Sequence, residues 1–244
     1  MTTIGFDTSL ATTSVCVVRD DGEVFSTPAP DGSRLMGRPR HSQELLPELD
    51  RLLHEAGIRL SEVDSIAVGV GPGTFTGLRI GVATARALGQ ALRVGVRPVS
   101  SLEALALGAA SQTDSAPGRP IASLIDARRG QVFVAVYRTD AVGTLMPLHD
   151  PAVAEPDGVL DLVRSLELEP LAVGDWAIRS AQGLEDAGAE IPPSSSGLHA
   201  VDALYVCRLG MSGEPAAPED VKPVYLRLPD VELKKASGGT DESR

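Results

Sequence analysis

Three short segments carry residues whose types and spacing could do chemistry. The longest is Gly71-Pro72-Gly73-Thr74-Phe75-Thr76-Gly77-Leu78-Arg79-Ile80-Gly81. A glycine-rich turn that opens a helix presents backbone N–H groups where an anion is favoured. Gly71, Gly73 and Thr74 are the candidate contacts. No Gly-Lys-Ser/Thr follows, so this is not a P-loop, and the spacing is not a dinucleotide fingerprint. A tight turn with Thr74 or Thr76 as N-cap uses the same residues, and on their types alone it is the better supported of the two. The second segment is Asp7-Thr8-Ser9, with Thr12, Thr13 and Ser14 nearby. An acid and hydroxyls at a strand end can meet a phosphate or a metal, or can close the turn on its own backbone. The third is Asp126-Ala127-Arg128-Arg129-Gly130. Asp126 stands in the second half where Asp7 stands in the first. Arg128 and Arg129 are candidates for a phosphate or an acidic partner, and a solvated hairpin is as good a reading.

Other candidates are weaker. Gly77, Gly81, Ala85 and Gly89 recur at spacing four, one stripe of a helix. Interior glycines cost about 1 kcal/mol each against alanine, so the stripe needs a reason in packing. Another backbone must come close: either the sheet of the same domain or a helix of a partner. His41, His54, His149 and His199 show no zinc spacing. No Ser/His/Asp set can be assembled, and no carboxylate pair stands out for acid–base work. Cys16 and Cys207 lie far apart in apolar stretches and read as buried, reduced thiols.

The elements that must position these residues follow from periodicity and punctuation. Strands are expected at 4–7, 13–19 and 23–27, a loop at 28–40, and a helix at 41–56 that Pro47 could delay. A strand at 64–69, a helix at 76–92, a strand at 95–99 and a helix at 101–110 complete a first unit, 1–110. Residues 111–119 read as a linker. The same order then recurs over 120–228: strands at 121–126, 131–138 and a weak 144–149, a helix at 159–166, a strand at 171–174, helices at 178–187 and 198–211, and an extended close at 221–226. Residues 229–244 read as a disordered tail. Two similar α/β subdomains are the expected architecture.

Composition narrows the function. With 43% hydrophobic and 23% charged residues the chain is globular in type. No apolar run is long enough to span a bilayer, and Met1–Ser14 lacks a signal peptide's basic start. The charge is −11 and only eight residues are aromatic, so neither a phosphate backbone nor stacked bases are natural direct ligands.

Five segments, in order and spacing, are similar to the bacterial TsaB (YeaZ) family: Ile4-Gly5-Phe6-Asp7-Thr8-Ser9, His41-Ser42-Gln43, the glycine-rich run 71–81, Ile125-Asp126-Ala127-Arg128, and Pro223-Val224-Tyr225-Leu226-Arg227. The likeness covers about residues 3 to 228. It implies an actin-like (ASKHA, ribonuclease-H-like) α/β fold of two similar subdomains with mixed sheets. It implies a cytoplasmic role in making N6-threonylcarbamoyladenosine at adenosine 37 of tRNAs that read codons beginning with A. The transfer itself would belong to a paralogous TsaD-type catalytic subunit, assisted by a TsaE-type ATPase. This chain would be the dimerisation partner, a homodimer when alone, touching tRNA only indirectly. Leu46, Leu53, Gly77, Gly81, Ala85 and Gly89 are the expected partner contacts.

The resemblance also implies that this chain has no catalytic residues, no metal and no cofactor of its own, with a nucleotide at the subunit interface left open. The catalytic paralogues carry a metal-binding His-x-x-x-His. The corresponding positions here are Ser101 and Leu105, and leucine cannot ligate a metal. Where actin-like ATPases place a Gly-Gly turn against adenine, Val173-Gly174-Asp175-Trp176 sets a bulky indole. The turn 126–128 lacks the glycine usual in a second phosphate loop. The rival readings are a small ATPase or kinase of the same fold, with nucleotide between the subdomains, and a metal-dependent peptidase.

Overall fold

The computed structural model describes residues 1–28, 32–113, 118–140 and 143–226. The tail expected at 229–244 and the middle of the expected linker lie outside the described residues.

The first sheet begins as a meander, β1 (Thr3–Asp7), β2 (Ser14–Val18) and β3 (Val24–Ser26). After α1 (Gly32–Leu35) and α2 (His41–Glu55), β4 (Ser65–Gly71) pairs parallel to β1. Helix α3 (Phe75–Leu92) leads to β5 (Val96–Ser100), parallel to β4. The order is β3-β2-β1-β4-β5. Alternation sorts the side chains: Ile4, Phe6, Val15, Val17, Ile66 and Val68 face α2 and α3, while Cys16 and Val18 face the other way. Pro47 sits inside α2 without delaying its start.

Helix α4 (Ser101–Gln112) joins the halves and is apolar nearly all round, as a helix packed on every side must be. The second sheet repeats the meander with β6 (Pro120–Arg128), β7 (Gln131–Thr139) and β8 (Leu145–Ala154). Helix α5 (Pro156–Ser165) precedes β9 (Leu171–Val173), which pairs parallel to β6. The order β8-β7-β6-β9 is that of the first sheet without its fifth strand. The duplicated mixed sheets match the two-part α/β architecture expected from the sequence.

Four elements depart from expectation, each for a local reason. Strand β8 runs to Ala154 because its prolines, Pro147 and Pro151, hide the strand pattern yet are tolerated on an edge. The helix expected at 178–187 is two, α6 (Asp175–Arg179) and α7 (Ala181–Asp186), broken at Ser180. The last helix, α8 (Ala203–Ser212), starts later because the Asp202 carboxylate accepts the Leu204 amide as N-cap. Within the loop expected at 28–40, α1 buries Leu35 in the core beside Leu102 and Val201. The expected unit 120–228 also sends α8 back across β1, β2 and β4 of the first sheet. There the Arg97 guanidinium donates to the carbonyls of Gly210 and Gly213 at the end of α8 and, through Nε, to Ser65 Oγ at 2.9 Å.

Candidate functional site: a cleft between the two sheets

The Asp7-Thr8-Ser9 turn and the glycine-rich turn are brought together as one knot. Asp7 ends β1, almost wholly buried. Its Oδ1 accepts the Ser9 amide at 2.8 Å and the Ser9 hydroxyl at 2.6 Å, and its Oδ2 accepts the Ser101 hydroxyl at 2.8 Å. Burial pushes the Asp7 carboxyl above the ordinary range, against the pull of Ser9, Ser101 and His41. Gly69 leaves the room that this carboxylate occupies. The Thr74 amide donates to the Ser9 carbonyl at 2.7 Å, and Gly73 lets Ser9 lie against the turn. Gly71, at φ 114°, needs a glycine.

Some groups of the knot are left over. Thr74 is the N-cap of α3, but its side chain caps nothing. Its Oγ1 and Nε2 of His41 are buried without a hydrogen-bond partner among the described residues. His41 opens α2 and is 3% exposed, its Nδ1 2.9 Å from Thr13 Oγ1. Burial holds its pKa below the usual value, leaving a neutral ring at pH 7.

These residues form one wall of a cleft of about 830 Å³, within the size range of small-molecule sites. Gly73, Thr74, Gly77 and His41 line it, whereas Asp7, Thr8, Ser9 and Gly71 lie behind. Opposite stand Asp126, Ala127, Arg128 and Arg129 of the β6–β7 turn. Arg128 and Arg129 are left-handed, at φ 64° and 56°. The Asp126 Oδ1 accepts the Arg128 amide at 2.8 Å, and its Oδ2 lies 3.1 Å from Arg128 Nη1 and 3.6 Å from Arg179 Nε. Asp175 accepts the Asp126 amide at 2.9 Å, and burial raises its carboxyl to about 6. Arg128, a candidate anion contact, is thus already paired with a carboxylate.

The sequence reading missed the rim of the cleft. Phe75 and Tyr225 pack with ring centroids 5.5 Å apart, the Arg79 guanidinium lies 3.7 Å over Phe75, and Arg79 Nε donates to the Tyr225 hydroxyl at 3.2 Å. Phe75 and Tyr225 stand in two of the five family-like segments, a signal that could have joined them. Trp176 does not crowd the cleft: it is buried with Leu124, Val134 and Ala177 in the second half's own core. Ser101 and Leu105 do not suit a metal, since the serine hydroxyl is engaged by Asp7 and the leucine is buried in the core.

The expected partner stripe is corrected. Gly77, Gly81, Ala85 and Gly89 face inward. Cβ atoms on Gly77 and Gly81 would strike Thr8, and one on Gly89 would come within 2.8 Å of Val96 and 2.9 Å of Pro218. The small residues let α3 lie directly on its own β1–β2 turn and sheet. Leu53 is likewise in the core, and Leu46 alone of the six is open, at 55% exposure. The outward face of α3 carries Thr76, Ala83 and Ala87, with Ile80 half-buried beside them.

Comparison with known proteins agrees with this architecture. Residues 37–199 match the family described as TsaD, tRNA N6-adenosine threonylcarbamoyltransferase. The chain is 31% identical to the tRNA threonylcarbamoyladenosine biosynthesis protein TsaB of Escherichia coli, over 81% of this chain and 85% of that protein. It is 29% identical to the protein of the same name in Bacillus subtilis, over 96% and 97%. The solved structure of YeaZ from Pseudomonas aeruginosa superposes with a TM-score of 0.72 at 27% identity, covering 92% of this chain and all of that one. By sequence and fold together, the chain belongs to the TsaB (YeaZ) family.

Proposed function

We propose that this chain acts in tRNA threonylcarbamoyladenosine biosynthesis as an accessory subunit of a TsaD-type transferase. One observation carries the accessory role: Ser101 and Leu105 are committed to the chain's own interior, so the catalytic positions implied by the family likeness are spent on folding. The partner would dock on the outward face of α3, at Thr76, Ile80, Ala83 and Ala87, with Leu46 of α2. Small side chains there allow a second helix to approach closely, and the same face would serve a homodimer when the chain is alone. A TsaE-type ATPase would join the complex. The −11 charge favours tRNA contact through the other subunits. Among the described residues no helix is long and apolar enough to cross a membrane, in keeping with a cytoplasmic site of action. The test is reconstituted threonylcarbamoylation of adenosine 37 in tRNAs reading codons beginning with A, with the catalytic subunit, the ATPase, the donor-forming enzyme, threonine, bicarbonate and ATP. Modification should need this chain, and this chain alone should give none. Equal modification without it would remove the proposal.

A second reading rests on the cleft. The N-terminus of α3 has no side-chain cap, and the unpartnered His41 Nε2 lies in the cleft wall beside Gly77. An anion, including a nucleotide phosphate, would satisfy both. Titration calorimetry with ATP, ADP and inorganic phosphate decides it, and absence of heat with all three discards it.

A further inference from the structure

The chain has two cysteines, near its opposite ends, and they meet. Cys16 lies in β2 directly opposite Gly5 of β1, on the face that α8 covers. Cys207 comes from α8. Its Sγ fills the space that a Cβ on Gly5 would take, and its amide nitrogen would stand 3.4 Å from that Cβ. Opposed Cβ atoms on an antiparallel pair start about 5 Å apart. The Cys207 sulfur therefore lies beside the Cys16 side chain, in contact with its thiol. Both residues are fully buried, in a cluster with Val18 and Ala203 against which Leu204 packs. Contact with the Cys16 thiol, and then burial, holds the Cys207 thiol well above its ordinary range. Neither sulfur takes part in the cleft. A buried cysteine is ordinarily a small apolar filler. Here glycine at position 5 lets α8 lie against the sheet so that the Cys207 thiol meets the Cys16 thiol.

We propose that Cys16 and Cys207 are a modification site, at which a low-molecular-weight disulfide oxidises the pair to an intramolecular cross-link between β2 and α8. One cysteine thiolate attacks the reagent disulfide, forming a mixed disulfide and releasing one reagent thiol. The second cysteine thiolate attacks the protein-side sulfur, closing the Cys16–Cys207 bond and releasing the other. The two cysteine protons end on the two released thiols. Two protein sulfurs are oxidised and one reagent disulfide is reduced. Because both sulfurs are buried, the first attack follows local lifting of α8 and is slow. The bond fastens α8 to the first sheet and closes a covalent ring over residues 16 to 207.

The test uses reduced full-length protein equilibrated in glutathione buffers of stepped ratio, once folded and once in unfolding urea, then acid-quenched for intact mass. The folded chain should lose two hydrogens without gaining glutathione. It should be half oxidised at a ratio at least about tenfold more reducing than the unfolded chain requires. Its thermal midpoint should rise on oxidation, and Cys16→Ala or Cys207→Ala should abolish that rise. A lasting glutathione adduct on the folded protein, two thiols surviving at every ratio, or a folded midpoint no more reducing than the unfolded one overturns the proposal. The folded–unfolded comparison needs no variant.

Discussion

The Thr8 hydroxyl donates to the Gly77 carbonyl across 2.8 Å, fastening the β1–β2 turn to the first turn of α3. The contact is possible because Gly77 and Gly81 have no side chains to hold Thr8 away. Gly77→Ala should therefore destabilise by roughly 1–3 kcal/mol, although alanine is the better helix former. Its Cβ would meet the Thr8 main-chain carbonyl, which cannot rotate aside. Gly81→Ala should cost less, since its obstacle is the Thr8 hydroxyl. Urea unfolding of the two variants checks the order, and a Gly77→Ala protein as stable as wild type contradicts it.

The outward and inward faces of α3 should behave oppositely. Ala83→Glu with Ala87→Glu places two charges in solvent and should change stability by no more than about 0.5 kcal/mol. The same pair should weaken co-elution with the TsaD-type subunit at least about tenfold, since an unpaired charge in an interface is costly. Gly81→Glu should instead unfold the chain. Co-elution unaffected by the outward pair would move the docking surface elsewhere.

Asp175 makes a pH prediction with a definite sign. Burial raises its carboxyl from 3.8 to about 6, so the folded chain holds this proton more tightly than the unfolded one. Its contribution is therefore fully present below pH 3.8 and is lost as the pH rises through about 6. Asp175→Asn keeps the acceptor for the Asp126 amide and removes the charge. At pH 7 to 8 the variant should be more stable by up to about 3 kcal/mol, a gap that closes toward pH 4. Thermal midpoints of both proteins across that range test it, and a gap that widens on acidification has the wrong sign.

Arg97 holds the end of α8 against the first sheet through the carbonyls of Gly210 and Gly213. A cation at a helix C-terminus and its lost hydrogen bonds together amount to about 1–2 kcal/mol. Arg97→Ala should lose that much and should raise hydrogen exchange in α8 before other elements. Uniform loss of protection across the chain would mean that α8 does not open on its own.

Much of the fold was legible in local pattern. Alternation marked β7, apolar and β-branched runs marked β1 and β2, which are buried on both faces, and spacing three and four marked α2 and α3, whose core-facing stripe that spacing records. The prolines of β8 concealed an edge strand, and Ser180 divided what periodicity joined. At the site, Asp7-Thr8-Ser9 and the run 71–81 were visible as chemistry-bearing types. Their polar atoms turn mostly to one another, a pairing that no spacing along the chain announces.

The sequence by itself determined the elements, their duplicated order and the family, because those follow from side-chain periodicity, turn residues and unbroken motifs. Only the tertiary structure decided which neighbour each face meets. It turned the glycine stripe inward onto Thr8, drew Trp176 out of the cleft, set Phe75 on Tyr225 and carried Cys207 to Cys16. The reason is physical: burial and close approach depend on residues far away in the chain, and a glycine records that something must come near without recording what.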